Sequence, residues 1–219
     1  EEGNVISTID ATVKENIEYA KINGLKYYGL SDHGVNMPGG PHLFYFQNLK
    51  VLPKEIDGVR ILKGMEANII DYDGNIDVTF DKYLNKLDYL IASLHTVCLE
   101  PGTKDQNTKA TIKAMDHELV KIIGHPDDGR YELDYEEVVK KAKEKNILLE
   151  VNNSSINPDS FRPNARENYK ELLTLCKEHN VRIILGSDAH ICYQVGILDD
   201  AERLIEEFDF PKELVINYH

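Results

Sequence analysis

The chain has 219 residues, and this length predicts one domain over residues 1–219. It carries 25 basic and 38 acidic side chains, and this net charge of −13 argues against binding to nucleic acid or membrane, although a bound metal could attract a small anionic substrate. No apolar run reaches the about 20 residues of a membrane helix, and no signal peptide is evident. The three cysteines lack a CxxC spacing, which favours a reducing, cytoplasmic environment.

Short apolar runs alternate with amphipathic segments along the chain. In chain order the prediction is a helix opened by a Ser7–Asp10 capping box and stopped at Gly24, a strand at 25–31, a helix at 45–55, a strand at 60–69, a turn at 71–74, a strand at 88–94, a helix at 105–118, a strand at 120–124, a helix at 134–145, a strand at 147–152, a helix at 163–179, a strand at 181–187, a helix at 198–207 and a last strand at 214–218.

This alternation predicts the α/β class, with a parallel sheet covered by helices. The number of repeats favours a closed or nearly closed, TIM-like barrel. A doubly wound open sheet is the alternative, although the sequence has neither GxGxxG nor GxxxxGK[ST], the glycine loops that bind phosphate in many such sheets.

Histidine and acidic residues follow the predicted strands. They are His33, Glu66, His95 and His125 in four units, and Asp188 with His190 in a fifth. Each alone is readily explained as a capping, core or ion-pair residue. Because the carboxyl ends of parallel strands meet at one mouth, the joint pattern predicts convergence. Imidazole and carboxylate without thiolate suit zinc, manganese or iron, so we expect the multinuclear metal site of a phosphoesterase.

The chain resembles the PHP family (polymerase and histidinol phosphatase), and within it the small stand-alone phosphatases. The motifs that carry the resemblance occur in the family's order and are SDHG (31–34), MPGGPH (37–42), LKGMEANI (62–69), IASLH (91–95), IIGHP (122–126), EVNNSS (150–155) and LGSDAH (185–190).

This resemblance implies a distorted (β/α)7 barrel with two or three zinc, manganese or iron ions per chain. It implies hydrolysis of small phosphate monoesters by a metal-bridging hydroxide, with Glu66, Asp188 and His125 as catalytic residues. In the family pattern Glu66 bridges two ions and shares one site with His95 and His125. Asp188 serves a second metal, and His33 and His190 serve a third.

One departure concerns the family's first strand. The family opens with an HxH motif and a further histidine in the next loop, and no histidine precedes Ser7 here. The segment ISTID (6–10) is similar to the start of the first family helix, so we expect the barrel to lack its first strand in this chain. True loss implies fewer metals or no activity and an exposed sheet edge. If the upstream residues were merely omitted from this sequence, the full site stands. Omission is favoured because all the other ligand positions are retained.

Three further residues are predicted to bind substrate: His42 in a Gly/Pro-rich loop, Arg130 after HPDDG, and Asn153 after a strand. A solvated loop histidine, a surface ion pair and a turn residue are the alternatives. Two other functions stay open. One is phosphodiester cleavage, as in PHP domains that trim nucleic acid, and the other is a non-catalytic metal-binding relative. Association into a homo-oligomer is also open.

Overall fold

The computed structural model describes residues 12–78, 84, 86–157 and 160–219. Its helices are α1 (Val13–Ile22), α2 (Leu43–Asn48), α3 (Lys104–Ala114), α4 (Tyr135–Lys145), α5 (Asn153–Ile156), α6 (Ala165–His179) and α7 (Asp199–Glu207). Its strands are β1 (Tyr27–His33), β2 (Glu55–Ile56), β3 (Val59–Asn68), β4 (Tyr89–Ser93), β5 (Val120–Ile123), β6 (Leu148–Asn152) and β7 (Ile183–Gly186). None of these helices has the length and apolarity needed to cross a bilayer.

The strands form one sheet in the order β1-β3-β4-β5-β6-β7, with every one of these pairs parallel. The short β2 pairs antiparallel with β3. In a flat sheet β1 and β7 would lie roughly 24 Å apart. However, the rings of His33, at the end of β1, and His190, beyond β7, have centroids 6.2 Å apart. The sheet is therefore curved, which confirms the predicted α/β fold of distorted-barrel type.

Helix α4 illustrates how the local sequence produces the outer layer. The Asp134 side chain accepts a hydrogen bond from the backbone N–H of Glu137, which caps the first turn. The helix ends at Asn146, which adopts a left-handed conformation with φ 55°. Between these ends, Val138 and Val139 are fully buried. Burial of this apolar face in the hydrophobic core stabilises the helix more than its own propensity does.

The first helix differs from the prediction at its start. Thr12 caps α1 through a capping box with Glu15, whereas the predicted Ser7–Asp10 box lies outside the described residues. The end is confirmed, because the backbone of Gly24 turns with φ 73° directly after the helix.

Two other predicted elements are wrong in part. The helix predicted at 45–55 is the shorter α2 followed by a 3-10 turn at Leu49–Val51. It ends there because Pro53 forces the preceding Leu52 into an extended conformation, with ψ 134°. The strand predicted at 214–218 consists of two 3-10 turns joined at Val215. Val215 makes a single parallel bridge to Ile183, and beyond it the Asn217 side chain bonds both backbone groups of Leu185 where a strand ladder would continue. The remaining elements are confirmed.

Candidate metal centre

The carboxylate of Glu66, on β3, contacts imidazoles from three neighbouring strand ends. Its Oε2 lies 3.0 Å from Nδ1 of His33. Its Oε1 lies 3.4 Å from Nε2 of His95 and 3.3 Å from Nε2 of His125. The structure thus brings together four of the six predicted metal ligands at the carboxyl ends of β1, β3, β4 and β5.

These side chains fit a divalent cation. One ligand atom from each of His33, Glu66 and His95 can be chosen so that all lie within 4.8 Å of one another. Nδ1 of His33 is buried beside Glu66, yet it lacks the alignment of a hydrogen bond to any group in the described residues. Buried imidazole and carboxylate atoms that face one another without well-aligned hydrogen bonds are typical of ligands for zinc, iron or manganese.

The remaining predicted ligands lie beside this group. Asp188 is on the loop after β7, and its Oδ2 accepts hydrogen bonds from Asn152 Nδ2 at 3.1 Å and Arg162 Nη2 at 3.3 Å. Nδ1 of His190 lies 2.9 Å from the backbone oxygen of Asp188. A proton on this Nδ1 leaves Nε2 of His190 as the nitrogen with a lone pair for a metal.

Two of the predicted ligands have strained backbones. His125 has φ 29° and Asp188 has φ 50°, in the region that side chains other than glycine rarely adopt. Strand β6, which lies between them, supports both. Glu150 Oε2 accepts a hydrogen bond from the His125 backbone N–H at 2.7 Å, and Asn152 donates to Asp188. Strain of this kind collects at functional sites, where surrounding contacts hold it in place.

The charges of the cluster depend on one another. Burial opposes protonation of His33, but the nearby Glu66 carboxylate outweighs it and raises the pKa of His33 to about 9. Burial favours a neutral Glu66, yet His33 holds the pKa of this carboxyl well below its usual range. Burial and the charge of Arg162 lower the pKa of His125 to about 4. The environment of the cluster therefore favours a protonated His33 and a neutral His125.

Arg162 lies buried among acidic side chains. Burial opposes its charge, but Asp188, Asp127 and Glu150 together raise its pKa. Burial and the charge of Asp188 raise the pKa of Glu150 to about 8. Burial raises the pKa of Asp127 to about 6, although the Tyr169 hydroxyl donates a hydrogen bond to it. Within the described residues, Nε of Arg162 is buried without a hydrogen-bond partner.

Each of the three predicted substrate-binding residues makes hydrogen bonds to other groups of the protein. Nδ1 of His42 accepts the Phe44 N–H at 3.2 Å and caps α2. Arg130 donates through Nε and Nη2 to the carboxylate of Asp128. Asn153 Oδ1 accepts two backbone N–H groups at the start of α7. Contact of these residues with substrate stays a prediction.

Sequence reasoning missed Arg162, Glu150 and Asp77. A charged residue inside the apolar run ILLEVN marks Glu150, and this signal was available. Asp77 is brought to Asn68 by the turn at 71–74, as the bridge between Ile69 and Ile76 shows. No local pattern marks Arg162, since its partner Asp188 lies far along the chain.

Several proteins resemble the chain closely in sequence. It is 49% identical to a probable phosphatase of Clostridium novyi over 206 residues. The alignment covers 94% of this chain and 83% of that protein. A probable phosphatase of Caldanaerobacter subterraneus is 47% identical over 208 residues, covering 94% of this chain and 81% of that one. None of the family models compared with the chain matches it. The chain belongs to the same family as these probable phosphatases.

A solved structure shares the fold. The crystal structure of histidinol phosphate phosphatase from Lactococcus lactis, complexed with zinc, L-histidinol and phosphate, aligns with a TM-score of 0.62 at 20% identity. The alignment covers 95% of this chain and 92% of that one. At this identity the likeness establishes the fold, and this fold is the one that the PHP resemblance implies.

Proposed function

We propose that the chain is a PHP-type, metal-dependent phosphatase that hydrolyses small phosphate monoesters. The observation that carries the proposal is the Glu66 carboxylate shared by the imidazoles of three strand ends. The names of the family's probable phosphatases support the reaction class. The zinc, L-histidinol and phosphate bound by the Lactococcus protein support a metal and a small phosphorylated substrate.

Glu66, His95 and His125 would hold one cation, Asp188 would serve a second, and His33 with His190 would serve a third, with Glu66 shared between two of the cations. Two or three zinc, manganese or iron ions per chain fit these ligands. Bound divalent cations supply positive charge for phosphoryl oxygens and make a water molecule acidic enough to attack phosphorus at neutral pH.

Arg162 is the residue that we assign to the phosphoryl group. Its guanidinium is held by Ser155 Oγ at 2.9 Å and by Asp188 Oδ2 at 3.3 Å. Nη1 and Nη2 each make one of these contacts and each carry two N–H groups, so donors remain for a phosphoryl oxygen. Because neighbouring contacts already fix the side chain, little entropy is lost when it binds an anion.

Arg130 stands further out than Arg162. Its side chain is 30% exposed and bonds Asp128, and its guanidinium carbon lies 4.9 Å from the centre of the Phe161 ring. The Arg162 guanidinium carbon lies 5.3 Å from the same ring. Phe161 is itself exposed. We therefore place Arg130 and Phe161 where they would meet the alcohol part of the ester, and Arg162 where it would meet the phosphate.

The test compares two substrates on one preparation of the protein. Chelator-treated chain is supplied with zinc or manganese and offered p-nitrophenyl phosphate and bis-p-nitrophenyl phosphate. Hydrolysis of the monoester adds water to phosphorus, breaks the ester P–O bond and releases p-nitrophenol and inorganic phosphate. The proposal expects the monoester to be turned over faster. Faster turnover of the diester would contradict this proposal and favour phosphodiester cleavage as the function.

A further inference from the structure

The two ring nitrogens of His95 face different partners. Nε2 faces the carboxylate of Glu66 and the ring of His125, at 3.4 and 3.2 Å. Nδ1 lies 2.7 Å from the side-chain oxygen of Asn68. A neutral imidazole carries its proton on one nitrogen only. A proton on Nδ1 leaves the lone pair of Nε2 for a metal, whereas a proton on Nε2 blocks this ligand atom.

Asp77 determines which way the Asn68 amide points. Asn68 Nδ2 donates to Asp77 Oδ2 at 2.6 Å, and the Asn68 backbone N–H donates to Oδ1 at 2.8 Å. A carboxylate only accepts hydrogen bonds, so it requires the NH₂ group of the amide on its own side. The amide oxygen is thereby turned toward His95. Asn68 is fully buried and Asp77 is 7% exposed, so water competes little for these contacts.

The same carboxylate holds the loop that follows β1. Asp77 Oδ2 also accepts the backbone N–H of Asn36 at 2.9 Å. A Cβ atom on Gly34 would overlap both carboxylate oxygens, so only glycine allows this approach. The backbone N–H of Gly34 in turn bonds the Glu66 carbonyl at 2.7 Å.

We infer that Asp77 is a positioning residue that acts through Asn68 to keep the proton of His95 on Nδ1, and that it also fixes the loop at Asn36. The use of Nε2 as a metal ligand rests on the proposed function. The tautomer and the loop contact do not, and both can be measured without metal. Partners of this kind raise metal affinity by fixing the orientation and tautomer of a ligand.

Exchanging the two side chains separates this role from simple stabilisation. Asp77→Asn removes the requirement on the amide of Asn68. The amide can then turn its NH₂ group toward His95 and donate to an unprotonated Nδ1, which places the His95 proton on Nε2. In the double variant Asn68→Asp/Asp77→Asn, the new carboxylate at position 68 accepts from His95 while the new amide at position 77 donates to it. The His95 side of the network is thus restored. Asp71→Asn is the matched control, since Asp71 accepts hydrogen bonds in the same turn from Asp73 and Asn75.

The first readout is the ¹⁵N spectrum of the histidine side chains in chelator-treated protein, with His95 assigned by its loss in His95→Gln. We expect the Nδ1–H tautomer in the wild type, in Asp71→Asn and in the double variant, and a shift toward Nε2–H in Asp77→Asn. An Nε2–H tautomer in the wild type overturns the inference, and this result needs no variant to fold. An unchanged tautomer in folded Asp77→Asn overturns it equally.

The second readout is zinc affinity by calorimetry with zinc chloride. We expect Asp77→Asn to weaken binding by about 10- to 100-fold and the double variant to recover most of this loss. Amide exchange at Asn36 should be faster in both variants, because an amide at position 77 cannot donate to position 68 and accept from Asn36 through the same atom. A folded double variant that binds zinc as weakly as Asp77→Asn contradicts the inference. Wild-type protein that binds no zinc but keeps an Asp77-dependent tautomer contradicts the proposed function instead.

Discussion

The Nε2 atoms of His95 and His125 lie 3.2 Å apart, and both face the same oxygen of Glu66. The two histidines follow neighbouring parallel strands, β4 and β5, so the sheet itself brings them to this distance. Each neutral imidazole carries one proton, either on Nδ1 or on Nε2. The two Nε2 atoms therefore bring at most two protons to the carboxylate oxygen. A divalent cation would use the lone pairs of all three, as the proposed function requires.

Glu66→Gln should lower the metal content of the purified protein by at least one ion per chain. The amide keeps the size of the side chain but removes the charge that we expect two cations to share. Phosphate release should fall by about 100-fold or more, because the phosphoryl group loses its cationic contacts. Elemental analysis and a phosphate assay on the same sample measure both effects. Glu136→Gln, on the exposed surface of α4, is the control. An unchanged stoichiometry would rule out the bridging role.

The metal-free protein should lose thermal stability as the pH rises from about 6.5 to about 9. The pKa of His33 is raised from 6.5 to about 9 on folding, so its contribution is complete below pH 6.5 and is lost as the pH passes 9. The pKa of Glu150 is raised from 4.5 to about 8, so its contribution to stability also falls as the pH rises. Thermal melts of chelator-treated protein across this range measure the loss. Glu150→Gln should flatten the curve below pH 8, and a melting temperature that rises across the window contradicts both assignments.

Arg162→Lys should reduce kcat/KM by about 100-fold while leaving the fold intact. Lysine keeps the positive charge beside Asp188, Asp127 and Glu150 but loses the fork of donors that a phosphoryl group engages. Arg130→Lys is the matched change at a more exposed arginine, and we expect an effect of only a few fold. Steady-state kinetics with melting temperatures compare the two. Equal losses in both variants would show that Arg130 contacts the phosphate as well.

Tyr169→Phe should destabilise the protein more than Tyr135→Phe. The Tyr169 hydroxyl accepts the Asn152 backbone N–H at 2.7 Å and donates to Asp127. Its removal therefore leaves two buried groups without this hydrogen-bond partner. The Tyr135 hydroxyl donates only to the Pro126 carbonyl among the described contacts. We expect a cost of about 2 kcal/mol or more for the first and about 1 kcal/mol for the second. Urea unfolding measures both, and equal costs would mean that the Asp127 network contributes no extra stability.

The convergence of His33, Glu66, His95 and His125 follows from two general rules. Apolar runs form the strands, and residues at the carboxyl ends of parallel strands meet at one edge. Arg162 could not be placed by these rules, because it lies between α5 and α6 and its contacts with Ser155 and Asp188 are tertiary. The shortened helix before Pro53 was predictable from the restricted residue before proline, and the broken strand at 214–218 was not, since it depends on the side-chain contacts of Asn217.

The metal dependence of phosphate release from p-nitrophenyl phosphate tests the central claim most directly. The protein is stripped with a chelator, its fold is checked by circular dichroism, and zinc, manganese or iron is returned in separate samples. We predict no release from the stripped protein and recovery of release with at least one of these metals at two or three ions per chain. Folded protein that releases no phosphate with any of the three metals would contradict the assignment of this site as a metal-dependent phosphatase.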